Sequence, residues 1–156
     1  MTTPTQRSLT FTVLGTPAPQ GSFRAAYSAK SKRAFVIQSC KRTMPWRQEV
    51  AAKAEEAMSH SDQRLVGIFT GPLKLTAFFY MPRPKGHYGK KGLRPSAPPF
   101  PDKKPDLSKL VRAIEDAMTG IVYVDDAQIV SYDVEKLYSD GSPASCGVKL
   151  MVESLK

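Results

Sequence analysis

Between residues 73 and 138 the spacing of apolar side chains changes twice, and this change restricts the possible folds of the 156-residue chain more than any other feature. Leu73, Leu75, Ala77 and Phe79 alternate with Lys74, Thr76, Phe78 and Tyr80, with Gly71 and Pro72 ahead and Pro82 behind, which is the pattern of a strand. Leu107, Leu110, Val111, Ile114, Ala117 and Met118 then recur at i, i+3, i+4, i+7, with Ser108, Lys109, Arg112, Glu115 and Asp116 on the other side and Gly120 placed to end the helix. Alternation returns near residues 129–138 and 146–153, and Gly141, Ser142 and Pro143 between them read as the turn of a terminal hairpin. Toward the N-terminus, Leu9, Phe11 and Val13 mark a first strand at 8–14. Thr43 is placed to cap a helix over about 44–58, with Pro45 in its first turn and Trp46, Val50, Ala54 and Ala57 or Met58 facing inward. Periods of two and 3.6 in one short chain predict an α/β (α+β) fold, a single domain over residues 1–156 with a mixed β-sheet and two main helices packed on it.

The charge is less ordinary than the patterning. Lys and Arg number 23 against 14 acids, a formal +9, and such a balance favours nucleic acid as a partner. Much of the positive charge falls in two loops. Residues 15–40 hold Arg24, Lys30, Lys32 and Arg33 and no acid, interleaved with Phe23, Tyr27 and Phe35, a basic loop with room for a short hairpin. Residues 81–105 hold seven of the 13 prolines, three glycines and seven cations against the single acid Asp102. That composition predicts a long segment without regular structure, either a solvated insertion or an arm along a phosphate backbone.

Several chemistries are excluded. Cys40 and Cys146 are too isolated for a disulfide framework or a thiolate zinc site, and a reducing cytoplasm suits them. No leader-like stretch and no run of about 18 apolar residues is present, so neither secretion nor membrane insertion is expected. His60 and His87 are too far apart to form a helical metal pair or to suggest Ser/His catalysis. Acid–base or metal chemistry must therefore use carboxylates.

Those carboxylates are segregated. Eight of the 14 acids, Asp102, Asp106, Glu115, Asp116, Asp125, Asp126, Asp133 and Glu135, lie in one stretch of an otherwise basic chain. A nuclease needs this combination: cations to hold phosphates, and a small group of carboxylates to bind a hard divalent ion. Within the stretch, Lys104, Pro105, Asp106, Leu107 and Leu110, then Asp116 and Ala117, then Asp125, Asp126, Ala127 and Gln128 resemble the signature of RusA-type Holliday junction resolvases. The segment 15–21 followed by Arg24 is similar to that family's N-terminal loop.

The resemblance implies a homodimeric α/β endonuclease that cuts four-way junctions and other branched DNA, in a bacterial or phage-infected cell, using Mg²⁺ with Mn²⁺ as a substitute. It places Asp106 and Asp126 in the metal site beside Asp125, and Ser108 and Arg112 at catalytic positions. Ser108 stands where the family pattern has a second aspartate. A hydroxyl brings no negative charge, so metal affinity should fall unless Asp125 or Asp102 compensates, and a weakened or inactive junction-binding protein is the alternative outcome. Arg112 cannot supply a proton at neutral pH but can stabilise charge on a phosphate. Lys109 lies one turn from Arg112 and is expected to face the same site. Arg24, Lys30, Lys32, Arg33, Lys103 and Lys104 are expected to contact DNA, and Phe23 either stacks as a wedge at an open junction centre or anchors its own loop. Taken without the resemblance, Asp106 also reads as a helix N-cap, and Asp125 with Asp126 as a turn.

Overall fold

The first strand pairs with the last, and the sheet is organised around that closure. The structure is a computed structural model describing residues 6–38, 40–60 and 67–155. β1 (Ser8–Leu14) is followed by a two-stranded ribbon, β2 (Phe23–Ser28) and β3 (Arg33–Gln38), then α1 (Thr43–His60) and β4 (Leu73–Met81). A small hairpin, β5 (Tyr88–Gly89) and β6 (Gly92–Leu93), precedes α2 (Leu107–Met118), β7 (Ile129–Tyr138) and β8 (Gly147–Ser154). The main sheet has the order β1-β8-β4-β7, with β4 parallel to β7 and the other pairs antiparallel. The expected mixed sheet with two main helices is therefore present.

Register decides what lies under the helices. Directly paired residues share a sheet face, and three rows cross all four strands: Leu9–Val152–Leu75–Tyr132, Phe11–Leu150–Ala77–Val134 and Val13–Val148–Phe79–Lys136. α1 packs on β1 and α2, while α2 also packs on β7, so these rows are the covered face. Leu75, Phe79, Val148 and Leu150 join Trp46, Val50, Leu110, Ile114 and Met118 in one buried core. Each such side chain contributes roughly 1.5–3 kcal/mol by leaving water, and a one-residue slip would turn the whole row outward. Tyr132, Val134 and Lys136 of the edge strand β7 thus reach the rim of the helix-covered face. Asp133 and Glu135, out of phase with them, point to the other face.

The 129–138 and 146–153 segments do not form the expected hairpin. β7 and β8 lie on opposite sides of β4, and the chain between them crosses the end of that strand. The central strand accepts hydrogen bonds on both edges, and α2 supplies the long connection that a parallel β4–β7 pair needs.

Residues 81–105 are also more ordered than their composition suggests. Arg83 stacks 4.0 Å over the Tyr138 ring and donates to the Pro98 carbonyl at 2.8 Å, and His87 meets Tyr138 edge-on. Arg94 donates to the Tyr88 carbonyl, and Pro101 is buried. The basic segment 15–40 does contain a hairpin, the ribbon β2–β3. Thr43 is the first residue of α1, but its hydroxyl does not cap the helix. It donates to the Pro19 carbonyl at 2.6 Å and ties the preceding loop to α1.

At Gly147 the backbone of β8 lies directly against that of β1. A Cβ there would stand 2.1 Å from the Val13 carbonyl oxygen and 3.1 Å from the Leu14 Cα, both backbone atoms that cannot swing aside. Gly147→Ala is therefore expected to destabilise the fold by about 3 kcal/mol, at the upper end of overpacking effects. Urea denaturation checks this, and an unchanged midpoint would contradict the β1–β8 register.

Candidate active site

α2 is held at its N-terminus from two directions. Lys136 Nζ on β7 donates to the carbonyls of Lys103 at 2.7 Å and Pro105 at 2.8 Å, and the Lys104–Pro105 peptide is cis. From the other side, Gln20 N donates to the Lys109 carbonyl at 2.9 Å, which brings the 15–21 loop onto the helix. Asp106 occupies the N-cap position, and its carbonyl accepts from Lys109 N and Leu110 N, yet its side chain makes no capping bond. The carboxylate instead pairs with Lys109 Nζ at 3.5 Å.

Between α2 and β7 opens a cleft of about 600 Å³, lined by Leu107, Ser108, Val111, Arg112 and Glu115 of α2, Asp126 of the following turn, and Tyr132 and Val134 of β7. Its chemistry follows from periodicity. Ser108, Arg112 and Glu115 are spaced i, i+4, i+7 and so form one stripe of the helix, while Tyr132 and Val134 are alternate residues of the rim strand. Leu107, Val111 and Val134 supply apolar walls.

Glu115 departs from expectation. Its position on the polar side of the helix predicts exposure, but only 8% of its surface reaches solvent, because Tyr132 of β7 closes over it while Ser108 and Arg112 of the same stripe stay exposed. The Tyr132 hydroxyl donates to its carboxylate. Burial raises the Glu115 pKa above the usual carboxylate range; the Tyr132 bond opposes this, the charges of Asp126 and Asp116 add to it, and Arg112 opposes it. Burial, then the bond and charge of Glu115, raise the Tyr132 phenol in turn. The Glu115 carbonyl is tied down separately, accepting from Thr119 N, Thr119 Oγ1 and the Tyr123 hydroxyl.

The adjacent acids Asp125 and Asp126 have different surroundings. Asp125 accepts from Ala127 N at 2.8 Å, and Gln128 Oε1 returns the bond by accepting from Asp125 N at 3.0 Å, a capping box on a single 3₁₀ turn. Gln128 Nε2 reaches the carbonyls of Phe69 and Gly71, which fastens the turn to the strand side of the fold. With Asp125 occupied in this way, Asp126 is the exposed carboxylate that lines the cleft.

Other sequence candidates are distributed around this cleft rather than within it. Asp106 and Lys109 line a neighbouring groove with Pro19, Arg42, Lys104 and Pro105, so Lys109 and Arg112 face different spaces. Asp102, Lys103 and Lys104 line a third cavity of about 270 Å³ with Arg42, His87, Lys136 and Tyr138. Asp116 pairs with Arg47 at 3.9 Å. Arg24, Lys30, Lys32 and Arg33 are exposed on the β2–β3 ribbon, where Phe23 is 62% exposed. Among the described residues no group of three or more acids, histidines or cysteines is placed to hold a metal ion. Glu115, Tyr132 and Arg42 were not legible as site residues; the 108–112–115 spacing was the available signal for the first of them.

A cleft that combines an arginine with carboxylates on an α+β scaffold has side chains chemically suited to a phosphodiester. Residues 16–152 match the family model described as Endodeoxyribonuclease RusA, and the chain belongs to this family of DNA endonucleases. It is also similar to the uncharacterized protein YqaN of Bacillus subtilis (strain 168), at 32% identity over 133 residues, which cover 83% of this chain and 87% of that relative.

Proposed function

We propose that the chain is a divalent-metal-dependent resolvase of four-way DNA junctions, acting as a homodimer whose two sites nick opposed strands. The observation that carries this reading is the convergence of Arg112 and Asp126, from separate elements of the family signature, on one cleft next to the groove of Arg42, Lys104 and Lys109. The donors available there, the carboxylates of Asp126 and Glu115 and the hydroxyl of Ser108, are all oxygen, which suits Mg²⁺ or Mn²⁺ in kind. Such an ion, when bound, supplies Lewis acidity and a lowered water pKa. Arg112 would grip the scissile phosphate through its planar fork and stay charged throughout.

Two-fold symmetry of a four-way junction matches two identical sites, and this supports the dimer. The second reading, a junction-binding protein with weakened or no catalysis, is favoured by Ser108 and by the scatter of Asp102, Asp106 and Asp125 outside the cleft. A synthetic four-way junction and a linear duplex of the same sequence, each incubated with Mg²⁺ or Mn²⁺, separate the two. Paired nicks in the junction alone are expected. Selective junction binding without cleavage in either metal would establish the second reading instead.

A further inference from the structure

We propose that the cation site of this chain is built on Glu115 and Asp126, displaced along α2 from the first-turn acid Asp106, so that Glu115 provides the carboxylate that Ser108 does not. This rests on the metal-dependent reading above. Ser108 and Glu115 belong to one helical stripe, but seven residues separate them, a rise of about 10 Å. Glu115 therefore cannot refill the position of the missing acid and must move the site. Side chains on a helix lean toward its N-terminus, which carries the Glu115 carboxylate back toward the level of Arg112 and into the space shared with Asp126.

The surroundings of the two rival acids point the same way. Asp106 stands in a groove with Arg42, Lys104 and Lys109 and is already paired with Lys109, so cations surround it and a further cation would be repelled. That groove suits a phosphate. Glu115 and Asp126 line one cleft with Arg112, two carboxylates to one cation, and carboxylates sharing a site repel unless positive charge offsets them both. Glu115 also stands between the buried Val111 and Met118, one turn to either side, where an apolar residue would pack without desolvating a charge. Tyr132 engages its carboxylate with one hydrogen bond, and a carboxylate has about four lone-pair directions to offer.

The test uses the full chain without DNA and reads metal binding directly. Mn²⁺ titration followed by electron paramagnetic resonance should show wild type binding, Glu115→Gln weakened by about 10- to 100-fold or more, as even supporting residues of metal sites produce losses of that size, and Asp106→Asn unchanged. Glutamine keeps the length of the side chain and an acceptor for the Tyr132 hydroxyl, so a merely structural Glu115 would leave Mn²⁺ affinity intact in that variant. A second measurement needs no substitution. Paramagnetic broadening by Mn²⁺ in the wild-type chain should centre on residues 114–116, 126 and 132. Broadening centred on 106–109, or loss of binding in Asp106→Asn with retention in Glu115→Gln, would overturn the displaced site while leaving the metal-dependent function standing. Absence of Mn²⁺ binding by wild type, in a preparation that still binds junctions, would overturn both.

Discussion

Asp126→Asn is expected to abolish junction cleavage while leaving junction binding level or tighter. The carboxylate lines the cleft without the capping duty that occupies Asp125, so its removal does not unfasten the turn that Gln128 holds. What is lost is one anionic oxygen ligand. Metal-assisted charge stabilisation is worth several kcal/mol in the transition state, and at about 1.4 kcal/mol per tenfold a loss of several kcal/mol slows cleavage by a hundredfold or more. Binding should respond in the opposite sense, because an amide in place of a carboxylate removes negative charge from a surface meant to meet phosphates. Cleavage and gel-shift assays on the same labelled junction read the two effects separately. Wild-type cleavage rates in the variant would exclude the α2–β7 cleft as the active site.

Junction affinity is expected to collapse with salt, by about 10³- to 10⁵-fold between roughly 50 and 200 mM if six to ten phosphates are neutralised, as released counterions are diluted into a richer bath. The structure narrows which cations contribute. Arg83 and Arg94 are committed to holding the 81–105 segment together, the first over Tyr138 and the second on the Tyr88 carbonyl. Exposed Lys85, Lys90, Lys91, Lys103 and Lys104 and the ribbon residues Arg24, Lys30, Lys32 and Arg33 remain for phosphates. Replacing the four ribbon cations with glutamine should reduce the slope of log affinity against log salt by about 0.9 for each phosphate that the ribbon no longer neutralises. A slope near zero in wild type would remove the electrostatic basis of the binding. An unchanged slope in the ribbon variant would move the DNA track away from β2–β3.

Sequence periodicity was enough to locate β1, α1, β4, α2 and β7, each within about two residues, because each must hide a continuous apolar stripe or row and the period of that stripe is a local property. The acid-rich signature and the net charge were equally local, and they led to the family. Strand order was not local. The same alternation in residues 146–153 suits a hairpin with β7 or a place beside β4, and only the competition for the two edges of the central strand chose the second. Prolines in 81–105 predicted irregular backbone but not its docking, which depends on Tyr138 arriving from β7 as a surface for Arg83 and His87. Of the adjacent aspartates the family signature singled out Asp126, and the structure adds that Gln128 closes a capping box with Asp125.

Glu115 shows the division most directly. A helical wheel places it among polar residues, and by itself the chain states only that Ser108, Arg112 and Glu115 share a stripe. Whether Glu115, at the far end of that stripe, meets water or another element depends on where β7 runs. The parallel pairing of β7 with β4 brings Tyr132 and Val134 opposite the stripe, and in doing so turns an apparent surface glutamate into a buried carboxylate at a cleft. Residue types and their spacing determined which chemistry the chain can perform. Long-range strand pairing decided which of its carboxylates meet, because burial and charge proximity are set by neighbours distant in sequence.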